Sequence, residues 1–149
     1  MRIVGYGNPE RGDDAAGLLA AERLRAQSFD AVTISGDALE LLESWQGATE
    51  LVIIDAVVTG APAGTIHVWD GAEPPAAFHA SNSTHGMGLL EALELGRTLN
   101  QLPARISIWG IEGRAFELGS EMTPAVKNAI REVTQRIASK ALTPTRAPR

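Results

Sequence analysis

The sequence has 149 residues, of which 13 are basic and 18 are acidic, so its formal net charge is -5 at neutral pH. A chain of this length can bury the core of one domain, and its acidic balance implies no general attraction to nucleic acid or to anionic membranes. Because the chain contains no cysteine, disulfides, a thiol nucleophile and thiolate metal ligands are excluded.

The first predicted strand and helix are separated by a short loop. Residues 2–6 predict a strand, and Pro9 predicts a loop after it, because the residue before a proline avoids helical geometry. Asp13 or Asp14 then begins a helix that continues to about residue 27. Either carboxylate could cap the N–H groups there and oppose the helix dipole, so this acidic pair alone is weak evidence for function.

A capping box marks the start of the next helix. This helix follows a second predicted strand at residues 31–35 and has Asp37 at the cap and Glu40 at the third helical position. Its apolar residues recur at helical spacing on one face: Ala38, Leu41, Leu42 and Trp45. We therefore expect this helix to pack against the sheet.

Residues 51–54 give the strongest strand signal. These four aliphatic residues, three of them β-branched, predict a central strand buried on both faces, because a strand with one exposed face would alternate with polar residues. Asp55 follows at the carboxyl end of this strand, where ligand sites form in open parallel α/β sheets. A carboxylate there requires a cation, hydrogen-bond donors or water to offset its desolvation.

The connection after the central strand predicts a mixed sheet. Residues 59–64 are too few for a crossover helix, so the strand predicted at 65–69 runs antiparallel to its neighbours. Residues 70–84 are rich in proline, alanine, serine and asparagine and show no period, which is typical of a functional or mobile loop. This loop leads directly to His85.

Two helices and a strand complete the predicted domain. A helix over residues 84–100 and a strand over residues 105–111 precede a final helix, which Thr123 caps and Pro124 begins. Its apolar positions continue at helical spacing: Val126, Ile130, Val133 and Ile137. Residues 143–149 have two prolines and two arginines and nothing to bury, so we expect a disordered tail.

Strands and helices that alternate in this order predict an α/β fold. We expect a three-layer α/β/α sandwich around a mixed, mostly parallel five-stranded sheet, of the phosphorylase/hydrolase-like type, as a single domain over residues 1–142. No stretch reaches the roughly eighteen consecutive apolar residues of a membrane span, and no signal-peptide pattern precedes the first strand. We therefore expect a soluble, cytoplasmic protein, and we expect it to be a monomer.

Of the histidines, His85 has the setting of a site residue. It precedes Gly86, Met87 and Gly88, which leave room beside the imidazole, although a histidine at a helix start is as often a cap or a solvated side chain. His67 alternates within a strand where it faces solvent, and His79 lies in the irregular loop, so we interpret both as structural.

We expect Asp14, Asp55 and His85 to converge. Two carboxylates and one imidazole form a ligand set suited to a borderline divalent ion with open coordination positions. Other chemistries lack their motifs, because the chain has no His-Glu-x-x-His helix, no Gly-x-Ser-x-Gly elbow, no phosphate-binding P-loop and no full Gly-x-Gly-x-x-Gly fingerprint. A phospho-accepting acidic pocket would need a lysine after the last strand, but the only lysines are Lys127 and Lys140.

Several segments of the chain, taken in order, resemble the hydrogenase maturation proteases. The resemblance runs from residue 2 to about residue 138. It is carried by Gly5-Tyr6-Gly7-Asn8, Asp13-Asp14-Ala15-Ala16-Gly17, Val52-Ile53-Ile54-Asp55-Ala56-Val57, Ser83-Thr84-His85-Gly86-Met87-Gly88-Leu89, and Gly110-Ile111-Glu112 with Thr123-Pro124-Ala125-Val126.

This resemblance implies an endopeptidase that removes the C-terminal extension of a nickel-iron hydrogenase large-subunit precursor after nickel insertion. It also implies that Asp14, Asp55 and His85 are catalytic residues that contact a metal. The chain shows no fourth ligand, so we expect nickel to be carried by the substrate and held jointly with substrate thiolates. Whether that nickel takes part in the cleavage or only licenses docking stays open, and a non-proteolytic escort of the precursor is the alternative function.

The sequence departs from this family in two places. Some members have glutamate where this chain has Asp14, and the shorter side chain moves the carboxylate back by one methylene. The first strand is also shorter here than in familiar members. Neither departure removes a predicted ligand.

Overall fold

Five strands form one mixed sheet in the computed structural model, which describes residues 1–75 and 84–142 but not the side chains of residues 84–87 and 142. The strands are β1 Arg2–Tyr6, β2 Ala31–Ile34, β3 Glu50–Val57, β4 Ile66–Asp70 and β5 Arg105–Glu112. Their order across the sheet is β2-β1-β3-β5-β4. All neighbours are parallel except β4, which pairs antiparallel with β5, so the prediction of a mixed sheet is confirmed.

Four α-helices cover the two faces of this sheet. They are α1 Ala16–Ala26, α2 Ala38–Ser44, α3 Thr84–Thr98 and α4 Pro124–Leu142. α1 packs against α4 on one face, and α2 packs against α3 on the other, which gives the predicted three layers. The tail predicted at residues 143–149 lies outside the described residues. Within the described part of the chain, no helix is both long and apolar enough to span a bilayer.

The core is divided by the central strand β3, whose side chains are buried on both faces as predicted. Leu51 and Ile53 pack beneath α2 and α3, and Val52 and Ile54 pack beneath α1 and α4. Burial of one such side chain stabilises the fold by about 1.5–3 kcal/mol. Its tight packing on both faces therefore holds the side chains at the carboxyl end of β3 in fixed positions.

Two predicted boundaries are wrong, and both concern acidic residues. Asp55 lies within β3 and not after it, because the pairing of β3 with β5 continues through Val57 and Glu112. Asp13 and Asp14 do not begin α1; they lie in a 3₁₀ turn, Gly12–Ala15, and α1 starts at Ala16. All of these residues are described, and no side chain caps either the turn or α1.

The other predicted helix starts are correct. The carboxylate of Asp37 accepts a hydrogen bond from the backbone N–H of Glu40 at 3.0 Å, so Asp37 caps α2. Pro124 is the first residue of α4 as predicted, but the prediction that the side chain of Thr123 caps this helix is wrong, because its hydroxyl donates to Asp13 at 2.6 Å.

A glycine brings the start of α1 against the carboxyl edge of the sheet. A β-carbon at Gly17 would collide with the carbonyl oxygens of Ile54 and Tyr6, so only glycine allows this contact. As a result, the 3₁₀ turn with Asp14 lies beside the ends of β1 and β3.

Candidate functional site

Asp14 and Asp55 lie together, buried, at the carboxyl edge of the sheet. The two residues are 2% and 4% exposed, respectively. Asp55 is placed by the pairing of β3 with β5, and its Oδ1 accepts a hydrogen bond from the backbone N–H of Ala56 at 2.8 Å. Asp14 reaches the same edge through the 3₁₀ turn that precedes α1.

The electrostatics of this pair favour a positive charge between the carboxylates. Burial raises the pKa of Asp55 well above its usual value, and the charge of Asp14 raises it further, although the N–H of Ala56 partly opposes both effects. A divalent cation or a proton would relieve the repulsion. The oxygen donors therefore suit a metal ion.

The third predicted ligand, His85, is only partly placed. Its backbone lies in the first turn of α3, and its imidazole is outside the described side chains. Among the side chains that are described, no group of three His, Asp or Glu could hold a metal. Gly88, one turn later, lies so close to the hydroxyl of Tyr6 that a β-carbon there would collide with it. The start of α3 therefore lies beside the end of β1, near the two aspartates.

Tyr6 belongs to this region, although the sequence indicated for it only a place in a strand and in the segment Gly5-Tyr6-Gly7-Asn8 that carries the family resemblance. It is 1% exposed, and its hydroxyl donates to the carbonyl of Gly36 at 2.9 Å. Burial raises the pKa of Tyr6 to about 12, helped by the charges of Asp55 and Asp14. The phenol therefore stays neutral. The signal that could have found it is a tyrosine between two glycines at the carboxyl end of a strand.

Asp13 and Asp14 have different roles, which the sequence could not separate. Asp13 accepts hydrogen bonds from the N–H groups of Arg114 and Ala115, each at 2.8 Å, and from the N–H and hydroxyl of Thr123 at 2.7 and 2.6 Å. It ties the 3₁₀ turn to the segments after β5 and before α4. Asp13 is thus structural, whereas the charge of Asp14 acts on Asp55.

A further buried carboxylate, Glu112, was not predicted from the sequence. Glu112 ends β5, is 1% exposed, and accepts hydrogen bonds from the N–H and hydroxyl of Thr59 at 2.8 and 2.5 Å. Nε2 of His67 lies 3.1 Å from its Oε1. His67 is therefore not the solvent-facing residue that we predicted, because its side chain is 25% exposed and contacts this carboxylate. His79 lies outside the described residues.

The family is shown by comparison with known proteins. A family model described as hydrogenase maturation protease, HycI, matches residues 21–140. The chain belongs to the hydrogenase maturation protease family. The resemblance noted from the sequence is thereby confirmed, and the protein is a maturation endopeptidase with a role in hydrogenase maturation.

Solved structures of this family have the same fold. The [NiFe] hydrogenase maturation protease HybD from Thermococcus kodakarensis is 28% identical, with a TM-score of 0.79 over 95% of this chain and 98% of that one. The maturating endopeptidase HybD from Escherichia coli is 26% identical, with a TM-score of 0.77 over 93% of this chain and 90% of that one. The hydrogenase expression/formation protein HoxM of Cupriavidus necator is 26% identical over 140 residues, which are 89% of this chain and 69% of HoxM.

Proposed function

We propose that this endopeptidase removes the C-terminal extension of a nickel-iron hydrogenase large-subunit precursor after nickel insertion, and that Asp14, Asp55 and His85 recognise the nickel. The observation that supports this proposal is the buried pair of carboxylates, Asp14 and Asp55, at the carboxyl edge of the sheet. In a member of this family, two adjacent buried carboxylates suit a cation that arrives with the substrate.

The proposed chemistry is hydrolysis beside the metal that the substrate carries. Nickel contacted by the two aspartates and His85 would hold the scissile peptide bond and polarise its carbonyl or a water molecule. The oxygen of that water bonds to the carbonyl carbon while a carboxylate takes its proton. The proton then passes to the amide nitrogen as the carbon–nitrogen bond breaks. Asp55 is our candidate for this base, since its buried carboxylate lies with Asp14 at the carboxyl edge of the sheet.

The partner and compartment follow from the same proposal. We propose that the protein acts as a monomer in the cytoplasm on a polypeptide substrate. The formal net charge of -5 supports a substrate that is neither nucleic acid nor an anionic membrane.

Dependence on nickel held by the substrate is the decisive test. Purified protein should shorten nickel-loaded precursor and leave metal-free precursor unchanged, as measured by mass spectrometry. Treating the protein beforehand with a chelator, which is then removed, should make little difference, because the metal belongs to the substrate.

Two results would contradict this proposal. If chelator-treated protein fails on nickel-loaded precursor and recovers with added zinc, the site is an ordinary metallopeptidase centre. If the precursor binds stably and keeps its full mass, the protein is an escort.

Lengthening the side chain at position 14 tests how accurately the carboxylate must be positioned relative to the nickel. Asp14→Glu keeps the charge and ligand type but moves the carboxylate forward by one methylene, so we expect activity to fall by about tenfold without being lost. The rate of shortening of nickel-loaded precursor measures this effect. A complete loss would show that reach matters more than charge.

A further inference from the structure

A cleft of about 450 Å³ opens at the carboxyl edge of the sheet, where Val58 and Gly113 line it directly after β3 and β5. Its volume lies within the range of roughly 300–1,000 Å³ that small-ligand sites occupy. The lining combines apolar side chains with charged ones, and the residues that matter here are Arg11, Arg114, Glu112, Glu117, Ala61 and Phe116. Neither the metal-binding proposal nor the structural contacts described above give this cleft a role.

The cleft is continuous with the carboxyl edge that carries the aspartates. The carbonyl of Arg11 accepts a hydrogen bond from the N–H of Asp14 at 3.0 Å, so one wall belongs to the same turn as Asp14. Val58 lines another part of the cleft and follows Asp55 by three residues. Because an extended peptide spans about 3.3 Å per residue, a polypeptide cut beside Asp55 enters the cleft within about four residues.

The charges in the cleft favour an anion. Nε of Arg11 donates to the carbonyl of Phe116 at 2.8 Å, which holds this guanidinium in place. The side chain of Arg114 is exposed, while its backbone N–H is fixed by Asp13. Among the described residues, no carboxylate forms an ion pair with either arginine.

The two glutamates of the cleft, Glu112 and Glu117, do not neutralise the positive charge of the two arginines. The carboxylate of Glu112 already accepts two hydrogen bonds from Thr59 and lies 3.1 Å from His67. Glu117 is exposed at the rim, where water screens it. Guanidinium groups bind carboxylates in a bidentate geometry, and the apolar wall with Phe116 can cover the adjoining part of a peptide.

We propose that this cleft is a substrate subsite that binds a carboxylate-bearing segment of the precursor next to the scissile bond, with Arg11 and Arg114 as its partners. The subsite rests on the proposed function, because its position matters only if a polypeptide is cut beside Asp55. The carboxylate belongs either to an acidic side chain of the segment or to the C-terminus of the extension.

Kinetics of Arg114 variants on nickel-loaded precursor test the subsite. Arg114→Ala removes an exposed guanidinium that forms no ion pair with the described residues, so we expect KM to rise by about tenfold while kcat changes by less than about twofold. Arg114→Glu should raise KM further. Arg25→Ala is the matched control, since Arg25 is an exposed arginine on α1 away from the cleft, and its KM should not change.

A binding measurement separates failure of the subsite from failure of the proposed function. A fluorescent synthetic peptide with the sequence of the precursor's C-terminal region should bind the Asp55→Asn protein, and adding Arg114→Ala or the cleft-filling Ala61→Trp should weaken binding by about tenfold. If precursor is never cut but this peptide binds through Arg114, the proposed function fails, and the cleft binds the carboxylate-bearing segment without being a substrate subsite. If precursor is cut with unchanged KM in the Arg114 variants, the subsite is wrong.

Altered peptides identify the carboxylate. Amidation of the C-terminus weakens binding if the terminal carboxylate is the ligand, and replacement of acidic residues by their amides weakens it if a side chain is the ligand. If neither change alters the affinity, the cleft does not bind a carboxylate and the proposal is overturned.

Discussion

Asp55→Asn and His85→Ala are each expected to reduce processing by roughly a thousandfold or more while leaving a folded domain. Asparagine keeps the shape of Asp55 and can still accept the hydrogen bond from Ala56, but it removes the charge that would contact nickel and the basic oxygen that would take a proton. His85→Ala removes the only nitrogen ligand of the proposed set.

The stability of the Asp55→Asn protein shows whether Asp55 serves function or holds the fold together. Burial and Asp14 raise the pKa of Asp55, so its contribution to stability is complete below the usual pKa of 3.8 and is lost as the pH rises through the higher folded value. Ionised Asp55 therefore destabilises the fold. We expect the free energy of unfolding of Asp55→Asn at pH 7 to equal or exceed that of the unsubstituted protein, as at other sites where function opposes stability.

On the same preparations, circular dichroism measures folding and stability, and mass spectrometry of the precursor measures processing. Glu50→Gln is the matched control, because Glu50 lies on the same strand at the opposite edge of the sheet. Its processing rate should be unchanged. Full activity in Asp55→Asn or in His85→Ala would remove that residue from the site.

The elements that the sequence predicts well are those whose signal is local. Four consecutive aliphatic residues identify β3, and the six-residue connection of residues 59–64 forces β4 to be antiparallel. Asp37 and Pro124 mark helix starts through chemistry confined to a few residues. Each of these signals depends only on neighbours along the chain, so tertiary contacts have little opportunity to override it.

The features that the sequence does not predict depend on partners distant along the chain. Asp13 and Asp14 are identical and adjacent, and only contacts with residues more than a hundred positions away give them different roles. The contact of His67 with Glu112 spans 45 positions. Periodicity shows which face a side chain occupies and carries no information about such partners. The sequence pattern selected Asp14 and Asp55 and the family resemblance agreed, whereas the roles of Asp13, Tyr6 and Glu112 depend on contacts that only the folded structure shows.

Asp13→Ala is expected to cause the largest loss of stability, about 3–4 kcal/mol in the free energy of unfolding. The side chain is fully buried and accepts four hydrogen bonds, so alanine leaves the N–H groups of Arg114, Ala115 and Thr123 without their acceptor. This loss is a large fraction of the roughly 5–15 kcal/mol that stabilises a typical domain. Asp13→Asn should cost less, since one amide oxygen still accepts.

The pH dependence of the stability loss shows whether the negative charge of Asp13 contributes to stability beyond its capacity to accept hydrogen bonds. Burial alone would raise the pKa of Asp13, but the hydrogen bonds from Ala115, Thr123 and Arg114 outweigh it and lower the pKa below 3.8. A lowered folded pKa contributes stability that is present above 3.8 and lost as the pH falls through the folded value. The difference in the free energy of unfolding between the unsubstituted protein and Asp13→Asn, measured with urea, should therefore reach its full size at pH 7 and shrink on acidification.

Asp30→Asn, a change at an exposed ion pair with Arg2, is the control and should cost less than about 1 kcal/mol at any pH. A gap for Asp13→Asn that does not change with pH would mean that the loss comes from replacing an acceptor oxygen by an NH2 group, and the charge of Asp13 would then contribute nothing to holding the turn beside Asp14.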